Sequence, residues 1–357
     1  MHFVMKDFTL RLIAGVNIAV IVVMLAIGYS DRIDPVQHPL LANVGLVFPV
    51  FLLANVGFLF FWLCVRKLWA VIPFAGLIIG FVPIRTYCPL NVPADAPEGS
   101  IKVMSYNVFN FHGWDNTSEP CEILEYISRQ GPDILCMQEF MQYGRKYEVI
   151  DSTLRAQLAY GDTACAGSLA LYSRFPIVRK EVIPYVTRTS NASAAFFLKT
   201  GRRDTTIVIV NHLESTGISL EQRAQFKAML KGELEKDSIK EESRELWRSL
   251  ADASAVRAPQ ADAVADFIRR HRGKSIIVTG DFNDSPLSYA HRSIASELTD
   301  CYVASANGPG VSYHYNAFYV RIDNIMCTDD WTPYQCRVDN SVKASDHYPI
   351  TCWLKRQ

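Results

Sequence analysis

Six stretches of this 357-residue chain join a small polar or acidic side chain to an apolar, β-like run. Asn107 follows Ile101–Tyr106, Glu139 follows Ile134–Met137, and Asn211 with His212 follows Thr206–Val210. Asp281 and Asn283 follow Ser275–Thr279, Asp323 lies in the run Ile322–Cys327, and Asp346 with His347 stands in SDHYP. Together they supply hard oxygen ligands and an acid/base pair, the inventory for attacking a phosphate ester with a divalent metal. Glu139 is the best ligand candidate: Mg²⁺ takes one carboxylate oxygen and leaves its other octahedral positions to water and phosphate, and Mn²⁺ would serve in the same place. Each word alone has a plainer reading, such as a surface glutamate, an Asp–Asn turn or a structural strand-end histidine. No Cys/His spacing for zinc and no Walker or dinucleotide glycine loop appears.

The elements that must position these groups are strands alternating with helices, which makes the domain α/β. In open α/β sheets ligand sites collect at the carboxyl ends of strands, so the six stretches are expected to converge on one pocket. Pro120–Gln130 has Ile123, Leu124 and Ile127 at helical spacing. Gly167–Ile177 reads as a buried strand and a turn that carries Arg174, and Ala194–Lys199 with Thr206–Val210 reads as a hairpin around GRRD. Leu220–Arg257 is dense in Glu and Lys with helical propensity, which predicts a solvated helical pair or a lid over the pocket. Pro259–Arg270 is a separate amphipathic helix with Ala261, Val264, Ala265 and Ile268 on one face.

The words SYNVFN, MQEF, VNHLES, GDFND and SDHYP, in that order, resemble the endonuclease/exonuclease/phosphatase superfamily, which includes deoxyribonuclease I, abasic-site endonucleases, neutral sphingomyelinases and inositol-polyphosphate 5-phosphatases. The resemblance runs from about Lys102 to Leu354. It implies a four-layer sandwich of two packed β-sheets with helices outside. It also implies that Asn107 and Glu139 sit at the metal, with Asp346 a second metal-side carboxylate. By the same resemblance Asp281 orients or deprotonates the attacking water, Asn283 holds that water and a phosphate oxygen, and His212 donates to the scissile phosphate. His347 bonds a non-bridging oxygen or serves as acid/base, with Asp323 fixing its tautomer and stabilising its charged form. Arg174 matches a basic position common in the family and is a candidate for binding substrate. Asn211 is given no role, and Asp284 reads as a cap or turn residue.

The front of the chain is of another kind. Leu12–Tyr29, Leu40–Cys64 and Leu68–Ile84 contain no charged residue, which predicts a transmembrane region over 1–85 with spans at about 12–29, 40–64 and 68–84. The third is the least regular, with Pro73 and Pro83 inside it. Lys6, Arg11, Arg66 and Lys67 place the N-terminus and the second turn in the cytoplasm, so three crossings would put a catalytic domain over 101–357 outside an inner membrane, in the periplasm, after a Pro-rich linker at 86–100. Nine cysteines permit disulfides there without specifying a pairing.

Residues 86–357 hold 30 of the 36 basic residues and 33 of the 36 acidic ones, so the soluble part carries a slight negative charge. Nucleic-acid enzymes rely on a basic face for affinity. The sequence therefore favours a phosphate-ester substrate such as a lipid head group or small phosphodiester near the membrane, with a secreted-side nuclease as the alternative. A reading of another class, an inactive membrane-tethered binding module, would require the loss of Glu139, Asp281, Asn283 or His347, and all four are present.

Overall fold

In the computed structural model, residues 2–357 are described except for 116, 141–143, 202–203, 219–223, 226, 229–235 and 316–317. The expected GRRD hairpin tip and the first part of the charged 220–257 segment thus fall largely outside the described residues. The strands are β1 (Ile101–Asn107), β2 (Ile134–Gln138), β3 (Tyr160–Ala164), β4 (Leu169–Ser173), β5 (Ile177–Ile183) and β6 (Ala192–Lys199). They continue with β7 (Thr205–His212), β8 (Ser275–Asp281), β9 (Thr299–Asp300), β10 (Asp323–Cys327), β11 (Trp331–Val338) and β12 (Ile350–Arg356).

Two mixed six-stranded sheets result, ordered β11-β12-β1-β2-β4-β3 and β5-β6-β7-β8-β10-β9. The parallel pairs β1–β2 and β7–β8 lie at their centres, and every residue of β1, β2 and β8 is buried. Strands covered on both faces read as unbroken apolar runs, which is why these segments stood out in the sequence. Val103, Ile134 and Leu171 meet Phe196, Val208 and Ile277 between the sheets. The outer face of the first sheet packs Met104 and Leu135 under Ile123 and Ile127 of the helix Glu122–Gln130. The second packs Ile209 and Val278 under Val264, Phe267 and Ile268. Helix, sheet, sheet, helix is the layering.

One expectation is corrected here. The charged segment and the amphipathic helix are not separate: Lys236–Arg270 is one 35-residue helix with Pro259 inside it. Proline removes one backbone bond, but the helix is held on both sides of it. Ala251, Ala253, Ser254, Arg257, Ala258 and Ala261 are all buried, so packing overrides the breaker.

At the N-terminus, Asp7–Arg32 and Pro39–Val65 are long and apolar enough to cross a membrane. The third run is not a straight span: helices Lys67–Ile79 and Phe81–Tyr87 meet at a 66° bend. A buried polar chain ties these helices together, Asn17 Nδ2 donating to Asn55 Oδ1 and Asn55 Nδ2 to the Pro73 carbonyl, with Trp62 Nε1 donating to Asn17 Oδ1. The N-terminal helices also dock on the α/β domain. Arg321 Nη2 donates to the Thr86 carbonyl at 2.5 Å, and Trp247 Nε1 to that of Leu40 at 3.1 Å.

Candidate active site

Strand register assembles the centre of the site. His212 of β7 pairs with Asp281 of β8, and Asp281 pairs with Asp323 of β10, so the three stand abreast on neighbouring strands. Gly280 makes this fit. It has φ +128, and a Cβ there would lie 2.0 Å from the Asn211 carbonyl oxygen, so only glycine lets β7 and β8 close up. Asn211 itself is buried and donates to the Thr279 carbonyl, a strand-tying role.

The other sheet delivers Asn107 and Glu139. Asn107 Nδ2 donates to Glu139 Oε1 at 3.0 Å and to Asp281 Oδ2 at 3.1 Å, bridging the ends of both sheets. Its Oδ1 accepts from the Phe109 N–H at 3.1 Å. Asn107 thus presents a donor and orients two carboxylates, rather than turning its oxygen toward a cation. Glu139 and Asn283 both hold left-handed backbone, φ +50 and +51, a strained conformation that clusters at functional positions. Asn283 N–H donates to Asp281 Oδ1 at 2.8 Å, and its Nδ2 to the Leu213 carbonyl at 2.9 Å.

His347 completes the centre. Its Nδ1 lies 2.8 Å from Asp323 Oδ2, and its Nε2 lies 3.6 Å from Asp281 Oδ2. Ser345 accepts from the His347 N–H and donates to the Asn107 carbonyl at 2.8 Å, which ties the SDH turn to β1. Burial alone would strip His347 of its proton, but the Asp323 and Asp281 carboxylates outweigh it and raise the imidazole to about 10. Desolvation pushes the Asp281 carboxyl up to about 7, against the pull of His347. His212 goes the other way, held below its ordinary range chiefly by desolvation.

His212 Nε2 is buried without a hydrogen-bond partner among the described residues, 3.8 Å from Glu139 Oε1 and 3.7 Å from Asp281 Oδ2. Glu139, Asp281, Asn283, Asp346 and His347 line one cavity of about 140 Å³. Asp346 is half-buried beside Ser345, whose hydroxyl lies 3.4 Å from its Oδ1.

Ligating atoms of Asp281, Asp323 and His347 all lie within 4.8 Å of one another. Yet His347 Nδ1 is committed to Asp323, and a protonated imidazole has no lone pair to give. That trio suits proton handling, whereas the partly exposed Glu139 with Asp346 offers hard carboxylate oxygens of the kind a Mg²⁺-like cation takes. Asp281, Asp323 and Asp346 act on one strongly basic imidazole, and Glu139 joins Asp281 through Asn107, an excess of negative charge that a divalent cation would offset.

Arg174 is not brought to this place. It follows the carboxyl end of β4, which pairs with the amino end of β2, while Glu139 lies past the other end. Its guanidinium pairs with Asp133 at 2.8 Å and stacks on Phe175. Asn43 and Arg257 are among the lining residues absent from the sequence-based set. Arg257 left one trace in the sequence: a cation within the apolar stripe Ala253, Arg257, Ala261, Ala265. Asp284 is its partner, at 2.5 Å, and not simply a turn residue.

The model of the Endonuclease/Exonuclease/phosphatase family matches residues 104–347, and residues 10–87 match that of a domain of unknown function (DUF8431). No curated protein matches the chain. Among solved structures, the human Nocturnin catalytic domain with bound sulfate anion is similar over 74% of this chain and 97% of that one, at 18% identity and a TM-score of 0.52. TDP2 from D. rerio complexed with single strand DNA product is similar over 72% of this chain and 100% of that one, at 14% identity and a TM-score of 0.51. At these identities the likeness is one of fold.

Proposed function

We infer that this chain, which belongs to the Endonuclease/Exonuclease/phosphatase family, hydrolyses a phosphodiester or phosphomonoester by direct attack of water. The observation that carries this is the junction of two sheets at which Asn107 links Glu139 to Asp281, with His212 and the Asp323–His347 pair beside them. Asp281 orients the water and takes its proton, and a carboxyl held near 7 is matched to that task at neutral pH. Asn283 holds the water's position. His347, kept protonated by Asp323, and His212, with its open Nε2, donate to phosphoryl oxygens as negative charge builds. Glu139 with Asp346 would hold Mg²⁺, or Mn²⁺, which supplies Lewis-acid neutralisation of the phosphoryl group.

The N-terminal helices anchor the enzyme in a membrane, and the Lys/Arg bias of their short loops puts the domain on the far side from the cytoplasm. A reporter fused after Gln357 tests this, and a cytoplasmic readout would contradict it. A lipid head group or small phosphodiester fits better than nucleic acid, since the domain lacks the positive charge that phosphate neutralisation exploits.

The test is hydrolysis of bis(4-nitrophenyl) phosphate by the full-length protein in detergent with Mg²⁺. Chelation should abolish turnover, and Glu139→Gln should remove most of it while the melting temperature holds. Activity surviving both would end the metal-dependent reading.

A further inference from the structure

The outer wall of the active-site cavity comes from parts of the chain that carry none of the chemistry. Asn43 and Leu46 belong to the first turns of the second apolar stretch, Pro39–Val65, Leu250 and Arg257 to the long helix, and Phe318 to a loop before β10. The start of that stretch is fixed against the domain. Asn43 Oδ1 accepts from the Ser254 hydroxyl at 2.9 Å, and a Cβ on Gly45 would lie 2.7 Å from the Leu287 carbonyl.

Arg257 is 1% exposed. Its Nε donates to the Glu214 carbonyl at 3.0 Å, and its Nη1 to Asp284 at 2.5 Å and to the Ser254 hydroxyl at 3.4 Å. Its Nη2 is buried with no hydrogen-bond partner among the described residues. A buried charged donor that the protein itself leaves unmatched calls for a partner from the cavity, and a guanidinium fork is shaped for oxyanions. In the same cavity lining, Leu46, Leu250 and Phe318 are half-buried and present apolar side chains.

We propose that this outer wall is a substrate subsite for an amphiphilic phosphate ester: Arg257 Nη2 takes an anionic oxygen, and Leu46, Leu250 and Phe318 cover the adjoining apolar body. Asn43, through Ser254, is the positioning residue that ties Arg257 to the start of the second apolar stretch. The cavity therefore opens where the domain meets its anchor, and a substrate lodged in a bilayer reaches it without leaving the surface. The proposal rests on the hydrolase reading above and adds the side chains that select the substrate.

Competitive inhibition of bis(4-nitrophenyl) phosphate hydrolysis tests it. The full-length protein in neutral detergent is given inorganic phosphate, then methyl, butyl and octyl phosphate below their micelle concentrations, and a 5′-phosphorylated pentathymidylate. Each buried methylene should tighten binding about three- to fourfold, so octyl phosphate should bind at least ~30-fold tighter than methyl phosphate. Leu46→Ala with Leu250→Ala should flatten that series. Arg257→Gln should weaken inorganic phosphate and every alkyl phosphate about tenfold or more while preserving the chain-length slope. Arg257→Lys, which keeps the charge but loses the fork, should weaken them less, and it decides the matter if the glutamine variant melts. A flat series in the wild type, or pentathymidylate binding tighter than octyl phosphate, would overturn the amphiphile. Folded Arg257 variants with unaltered phosphate affinity would overturn the anion role. If the wild type hydrolyses nothing, the hydrolase reading fails by itself, and dissociation constants of the same ligands by calorimetry still decide the subsite.

Discussion

The two walls of the cavity are built in opposite ways. The inner wall, where Asp281 and His347 line the cavity, is backed by strand ends: His212, Asp281 and Asp323 stand abreast because two ladders fix their register, and Asn107 clamps the second sheet to the first. The outer wall is a docking contact between sequence-distant segments, Asn43 meeting Ser254 across 211 positions and Leu40 meeting Trp247 across 207. Ladders leave side chains little room to wander, which suits groups that must meet a reacting atom to within a fraction of an ångström. A docking contact can be remodelled without disturbing the ladders. The rate constant is thus expected to reside in the inner wall and the choice of substrate in the outer one.

The largest test of that division removes Asp323 and His347. Each single alanine variant should lower turnover on the order of 10²–10⁴-fold, the scale of a positioned acid/base group. The double variant should be little worse than the poorer single one, because the pair acts as a unit through the 2.8 Å contact. Additive losses in the cycle would make Asp323 a scaffold residue and leave His347 without its orienter. If, in addition, the chain-length slope of alkyl phosphate binding changed in these variants, the separation of the walls would fail.

A second test uses pH. Asp281 acts ionised and His347 protonated, so kcat/KM should rise through about 7 and fall through about 10. The stability signs are fixed by the same shifts. Asp281 is raised above its ordinary 3.8, so the folded state holds more protons than the unfolded one between there and about 7, and this group's contribution to stability falls as pH rises through that window. His347 is raised above 6.5, so its stabilisation is complete below that value and lost as pH climbs through about 10. Asp281→Asn should abolish the rising limb of activity and raise the melting temperature at pH 8, a trade of stability for function. A melting temperature that drops instead would mean that Asp281 is held by more than it costs.

The inner wall was legible in the sequence because its causes are local. A buried central strand writes an unbroken apolar run, and the polar residue that ends it marks the sheet edge, as at Asn107 and Asp281. Even Asp323 could be placed, since it opens β10 and needs only one partner. Arg174 was singled out by a basic position common in the family, and the structure keeps it at the far end of β4, because which end of a sheet a turn occupies depends on strand direction rather than composition. The outer wall was illegible for a related reason. Nothing near Asn43 shows that Ser254 will meet it, and Pro259 signals a break that the packing of Arg257, Ala258 and Ala261 overrides.

The smallest expected effect is also the one that most directly joins the two regions. Asn43 is buried, and its Oδ1 accepts the Ser254 hydroxyl that in turn faces Arg257 Nη1. Asn43→Ala removes one neutral hydrogen bond, worth about 0.5–1.5 kcal/mol, and leaves the Ser254 hydroxyl free to turn. If that energy is felt by Arg257, inorganic phosphate should bind about two- to tenfold more weakly, with the loss falling in KM rather than kcat. Adding Asn43→Ala to Arg257→Gln should then cost almost nothing further in affinity, since the positioning residue has nothing left to position. A structural role alone predicts a different pattern: a lower melting temperature, phosphate affinity as in the wild type, and the same increment in either background. Calorimetric titration of phosphate into the four proteins of this cycle, each at a temperature well below its own midpoint, separates the two. A kcat loss comparable to that of His347→Ala would show instead that the N-terminal apolar stretch reaches the reacting centre, and the distinction between the walls would have to be given up.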